Sequence, residues 1–203
     1  MLYNTNNQSY FTGLGVSVAF VKYGPTVSGV VSGQAIAKGT SGAYKFMGND
    51  SNIITFTSGL NITTVQCSIT TPSLTFPIGN ISASDFGSTV GTLPAGAQNT
   101  QNLGLNCDAG ANINVSLNGT QNPDVGTASV LALTGQGDTG VAKGVGVQLL
   151  YNGTPLILNN SITLKQSEGG QETFPITARY YQTKTAVTPG TANTSATLDL
   201  TYQ

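Results

Sequence analysis

Apolar side chains in this chain recur at every second position in short runs, and nowhere hold the i, i+3, i+4, i+7 spacing of an amphipathic helix. The runs Val16-Ser17-Val18-Ala19-Phe20, Ile113-Asn114-Val115-Ser116-Leu117, Val145-Gly146-Val147-Gln148-Leu149 and Ile176-Thr177-Ala178-Arg179-Tyr180 show it, as does the end of the chain. Such a pattern puts one face of each run in a core and the other in solvent, which is strand behaviour. Gly and Pro break most longer windows. Asn118-Gly119 and Asn152-Gly153 suit tight hairpin turns, while Gly169-Gly170 and Pro189-Gly190 mark sharper reversals. Many short strands with this punctuation predict an all-β sandwich.

Composition narrows the chemistry. The 203 residues include only 7 Lys+Arg and 8 Asp+Glu, with 26 Gly and abundant Thr, Ser and Asn, so solubility rests on neutral polar groups. A net charge of -1 gives no electrostatic footprint for nucleic acid or an anionic membrane. With no His, triads that use imidazole, His-ligated zinc and imidazole acid-base chemistry are excluded. Two Cys cannot build a four-thiolate metal site. The expectation is a binding or structural protein with no catalytic residues, metal or cofactor.

Cys67 and Cys107 are read as a disulfide in an exported chain, with two buried free thiols as the alternative. A closed loop of that size would remove roughly 4 kcal/mol of unfolded-state freedom in the chain-entropy model. The opening Met1-Leu2-Tyr3-Asn4-Thr5-Asn6-Asn7 carries neither the basic nor the apolar region of a signal peptide. An export signal is therefore expected upstream, with this chain starting part-way through a longer one. No apolar run reaches the length of a membrane-spanning helix.

A domain boundary is expected near Thr57-Ser58-Gly59. Residues 60–203 are enough for one immunoglobulin-sized sandwich. Residues 1–59, with Val16 to Val21, Val27 to Ile36 and Ile53 to Phe56, offer only three or four strands. That is thin for an independent β domain and reads as the end of a larger one.

The C-terminus is the most informative stretch. Ala196, Leu198, Leu200 and Tyr202 share one face, Thr197, Asp199 and Thr201 the other, and the alternation runs to the last residue, Gln203. An end that does not lose its pattern is expected to be clamped, within its own sheet or by a partner. The penultimate aromatic Tyr202, with Gly190 fourteenth from the end, resembles the C-terminal signature of chaperone-usher pilins. Leu103-Gly104-Leu105-Asn106-Cys107, Lys143-Gly144-Val145-Gly146-Val147-Gln148-Leu149, Ala178-Arg179-Tyr180-Tyr181 and Val187-Thr188-Pro189-Gly190 resemble other segments of that family, in the same order. A plain shaft pilin has a short extension before its first cysteine, whereas 66 residues precede Cys67 here. Val18-Ala19-Phe20-Val21-Lys22-Tyr23-Gly24-Pro25 and Ser28-Gly29-Val30-Val31-Ser32-Gly33 resemble the closing strands of the receptor-binding domain of two-domain fimbrial tip adhesins.

The resemblance implies an incomplete immunoglobulin-like β-sandwich, the pilin domain, preceded by strands from the end of a second, lectin-like β-sandwich. A pilin domain lacks its final strand. A periplasmic chaperone lends one during export, an outer-membrane usher handles assembly, and the adjacent subunit's extension replaces the lent strand. The implied interface residues are Gly190, Ala196, Leu198, Leu200, Tyr202 and Gln203. Tyr202 would anchor the end of the groove, and Gly190 would accept no Cβ, by φ or by close packing. The carboxylate of Gln203 would meet chaperone Arg or Lys side chains. A host glycan receptor would be held mostly by residues this chain does not contain, and the product would sit in a fimbrium on the bacterial surface.

Two rivals compete with the adhesin. A shaft or adaptor pilin would need an alternating apolar donor segment near the start, where Leu14-Gly15-Val16-Ser17-Val18 offers a short one and Phe20-Val21 breaks the register. A secreted carbohydrate-active enzyme would need a carboxylate pair, and no motif clusters Asp50, Asp85, Asp108, Asp124, Asp138, Asp199, Glu168 and Glu172. Gly135-Gln136-Gly137-Asp138-Thr139-Gly140 has the outline of a dinucleotide loop without its βαβ context, and reads as a flexible loop.

Overall fold

A computed structural model describes residues 2–5, 8–11, 27–31, 35–38, 53–55 and 60–202. The chain divides into two compact units, Met1–Thr64 and Val65–Gln203. Apart from one short 3-10 turn at Ala83–Asp85, all regular structure among the described residues is strand.

In the first unit, β1 (Leu2–Thr5) pairs antiparallel with β2 (Gln8–Phe11). β3 (Gly29–Val31), β4 (Ala35–Lys38), β5 (Ile53–Thr55) and β6 (Leu60–Ile62) form two further antiparallel pairs, β3 with β6 and β4 with β5. The Ser28 hydroxyl accepts the Thr64 N–H at 2.8 Å, beside the β3–β6 pair. The expected strand Val16–Phe20 and the short run Leu14–Val18 lie outside the described residues.

The second unit is a two-sheet sandwich of β7 (Cys67–Ile69), β8 (Gln98–Cys107), β9 (Asn112–Asn118), β10 (Val145–Tyr151), β11 (Thr154–Pro155), β12 (Ser161–Gln166), β13 (Gly170–Gln182) and β14 (Thr197–Tyr202). One sheet runs β11-β10-β13-β8-β7 and the other β12-β9-β14, with every ladder antiparallel. The core follows from period-2 alternation: Leu103 and Leu105, Ile113, Val115 and Leu117, Val147 and Leu149, and Phe174, Ile176 and Ala178 all point into the space between the sheets. β10 is buried on both faces. Its outward-facing Gln148 is covered because its amide donates to Ser129 Oγ at 2.9 Å and its carbonyl oxygen accepts Arg179 Nε at 3.0 Å and Nη2 at 2.8 Å.

The disulfide reading holds: Cys67 and Cys107 face each other across the β7–β8 ladder and are bonded. Asn152-Gly153 forms the expected tight turn, with φ of 48° and 76° between paired Tyr151 and Thr154. Asn118-Gly119 does not form a hairpin turn. β9 ends at Asn118, and the chain continues to a bridge between Gln121 and Leu131, with Gly119 pressed against the Leu131 side chain and Ala196. Neither residue adopts the positive φ that such a turn needs.

Candidate functional site: an apolar groove beside the last strand

β14 is an edge strand. Its ladder to β9 is unbroken, from Thr197 opposite Asn118 to Tyr202 opposite Ile113, and among the described residues no strand pairs with its other side. Leu198 and Leu200 alternate inward with the core, while Thr197, Asp199 and Thr201 face out. Across from β14 runs the segment 71–80, which leaves β7 after the Thr70 and Thr71 N–H groups both donate to the Gly104 carbonyl. Its side chains alternate too: Leu74, Phe76 and Ile78 pack against the core, and Ser73, Thr75 and Pro77 are exposed. Among the described residues, the backbone from 72 to 81 makes no backbone hydrogen bond.

Between these two walls lies a cavity of about 760 Å³, floored by Leu103, Leu131, Val147, Leu149 and Ala178. A second cavity of about 380 Å³ continues it toward Phe86, Val187, Pro189 and Gly190. Both are lined by Gly79, Asn80, Tyr180, Ala192 and Asn193. Tyr180 donates its hydroxyl to the Ala192 carbonyl at 3.3 Å, and burial raises the pKa of its phenol, so the shared stretch is neutral. No lining residue of either cavity is charged.

Extended backbone must place its N–H and C=O groups somewhere, and an apolar trough with an unpaired edge on each side supplies partners for one more strand. The geometry can hold a ribbon of alternating apolar side chains. Its lining carries no Asp, Glu, Lys, Arg or Cys that could form an acid–base pair or hold an ion. Two carboxylates elsewhere in the sandwich are engaged structurally: Asp124 meets Lys184 at 3.0 Å and accepts Gln136 Nε2 at 3.2 Å, and Glu172 meets Lys165 at 3.1 Å. Among the described residues, no group of three or more His, Cys, Asp and Glu could hold a metal ion.

Of the residues expected at the interface, Ala196, Leu198 and Leu200 line the larger cavity and Gly190 the smaller. Tyr202 lies at the end of β14, is 42% exposed and lines neither cavity. Gln203 lies outside the described residues. Sequence reasoning missed the opposite wall, Leu74, Phe76 and Ile78, and the junction residue Tyr180. The wall had a signal in the alternation of Leu74-Thr75-Phe76-Pro77-Ile78, hidden by Pro72 before the run and Pro77 within it, which read as breakers.

A family model described as "Fimbrial protein" matches residues 54–203. A fimbria adhesin protein of Klebsiella pneumoniae is 33% identical over 134 residues, covering 62% of this chain and 41% of the relative. The type-1 fimbrial protein A chain of Escherichia coli strain K12 is 40% identical over 83 residues, 39% of this chain and 44% of the relative. The chain thus spans less than half the length of these curated relatives. A solved subunit of a chaperone-usher pilus, studied for rod uncoiling, superposes with a TM-score of 0.55 over 84% of this chain and 100% of its own, at 18% identity.

Proposed function

The chain belongs to the fimbrial protein family, whose members are fimbrial components and not enzymes, and we propose that it is the tip adhesin of a chaperone-usher fimbria. Residues 60–203 serve as the pilin domain, whose groove takes a donor strand first from a periplasmic chaperone and then from the adjacent subunit, with an outer-membrane usher between the two steps. Residues 1–59 are the end of a receptor-binding domain, which would engage a host glycan with residues outside this chain. The protein reaches the cell-surface fimbrium through the periplasm.

One observation carries this reading: the edge of β14 and the backbone of 72–81, both unpaired among the described residues, flank an uncharged trough whose side walls alternate in phase with a strand. Burying four or five apolar donor side chains is worth on the order of 6 to 15 kcal/mol before ordering costs. That is as large as the whole stability of a typical domain, about 5 to 15 kcal/mol. The donor therefore decides whether the domain stands alone. The adhesin assignment draws on the separate Met1–Thr64 unit ahead of Cys67 and on the similarity to the Klebsiella adhesin. A shaft or adaptor pilin is the second reading, favoured by the similarity to the type-1 A chain.

The test is to add a synthetic peptide of alternating apolar residues to the purified full chain. A one-to-one complex with a raised unfolding midpoint is expected, and a chain that is already cooperative and indifferent to peptide overturns the reading. Tip and shaft separate when the chain is mixed with a second, strand-accepting pilin: a tip subunit accepts a strand and donates none.

A further inference from the structure

The sandwich has four outer strands, and two of them, β14 and β7 with its continuation 72–81, flank the groove. Of the other two, β11 is only Thr154–Pro155. Short edges and proline are two standard ways to deny a neighbour a ladder. β12 is as long as β14, so length does not protect it. Its outer edge makes no strand pairing among the described residues.

What distinguishes β12 is a register shift. Ile162 lies opposite Val115 and Thr163 opposite Asn114, so a regular ladder would place Leu164 opposite Ile113; instead Lys165 is opposite Ile113. Ile113 is buried in the core. The additional residue, Leu164, is a β-bulge whose side chain still packs against the core, and it brings Lys165 opposite Ile113 at the rim of the sandwich, with its side chain 40% exposed. The ammonium group meets a carboxylate already there. Glu172 lies opposite Leu105 on β13, hence on the inner face, and its side chain is 7% exposed. Lys165 Nζ reaches Glu172 Oε2 at 3.1 Å, while Glu172 Oε1 accepts the Ser167 hydroxyl at 2.6 Å and the Glu168 N–H at 3.1 Å.

We propose that the Leu164 bulge and the Lys165–Glu172 pair close the β12 edge to strand addition, so that the β12-β9-β14 sheet can be extended only at β14. An arriving strand at β12 would meet a kinked edge with a mismatched ladder, and beside it a rim lysine already held in an ion pair with Glu172. β14 has neither device: its ladder is regular and it carries no Lys, Arg or Pro. The inference concerns the edge opposite the groove and rests on the proposed strand-accepting role only in calling β14 the open edge.

The test uses the full chain carrying Lys165→Val with Glu172→Leu, which removes both charges together and so leaves no buried carboxylate without its partner. Wild-type chain is expected to bind one alternating apolar peptide and to stay monomeric in sedimentation. The double variant is expected to bind a second peptide, or to dimerise at least 10-fold more tightly, with hydrogen exchange slowed in the amides of 161–166. A variant that binds one peptide, stays monomeric and exchanges as wild type overturns the proposal. Should the double variant not fold, Lys165→Met, which keeps the packed stem, is measured in the same way. Failure of both to fold also overturns it, since the pair would then hold the domain together instead of guarding an edge. Wild-type chain that binds no peptide sinks the strand-accepting role alone, because variant dimerisation without peptide still reads the edge.

Discussion

Gly190 packs backbone to backbone against Ala142: a Cβ added at Gly190 would overlap the Ala142 amide nitrogen and the adjoining Val141 carbonyl carbon. The same approach lets Ala142 N–H donate to the Thr191 carbonyl at 3.0 Å and Thr191 N–H to the Gly140 carbonyl at 2.8 Å. The glycine is therefore required by close packing and not by a left-handed φ, since Gly190 is absent from the positive-φ residues. Gly190→Ala is expected to destabilise by about 1–3 kcal/mol, the usual cost of forcing atoms into a filled space. Urea unfolding of the full chain measures it, and an unchanged midpoint would remove the close-packing role given to Gly190.

Leu200 lies inside the larger cavity and opposite Val115, so it faces both the core and any donor strand. Leu200→Asp would set an unpaired carboxylate in an uncharged trough. Peptide affinity is expected to fall at least 10-fold, about 1.4 kcal/mol or more, in a calorimetric titration. Asp199→Ala faces the other way and should leave affinity within twofold, although it removes the hydrogen bond from Asn118 Nδ2.

Tyr202 ends the β14 ladder opposite Ile113 and is partly exposed. If the chain's end is the handle by which a chaperone holds it, Tyr202→Ala should weaken chaperone capture and secretion. Co-purification with the chaperone reads this directly, and an undiminished complex would count against the role given to the terminus.

Glu172 supplies a pH dependence. Burial pushes its carboxyl upward, but the Ser167 hydroxyl, the Lys165 ammonium and the Glu168 N–H more than offset this, so the group titrates below the ordinary glutamate range. A depressed folded-state pKa contributes stability that is fully present above the unfolded pKa, about 4.3, and is lost as pH falls through the folded value. Wild-type stability should therefore drop on acidification from about pH 5 downward more steeply than that of Glu172→Gln. Urea midpoints of both proteins across that window check the sign, and parallel curves would remove Glu172 from the acid response.

The alternating runs at 113–117, 145–149, 176–180 and 196–202 became parts of β9, β10, β13 and β14 because a period of two is a local property: each strand carries its own inside and outside. The Asn152-Gly153 turn was legible for the same reason, since positive φ at both residues closes a hairpin without outside help. Asn118-Gly119 has the same letters, yet there the chain is drawn away by a contact with Leu131 that no local rule contains. The groove is likewise non-local. Its walls, 71–80 and 192–200, are far apart in sequence, and the proline-broken alternation around Leu74 and Phe76 became a wall only because the sandwich places it across from β14. Lys165 shows the limit most clearly: its exposure fits a solvent-facing strand position, but the bulge at Leu164 and the pairing with Glu172 across the sheets depend on tertiary structure. Periodicity told strand from helix and one face from the other. Which edge was left unpaired depended on how distant strands shared their hydrogen bonds, and that is decided only when the sheets assemble.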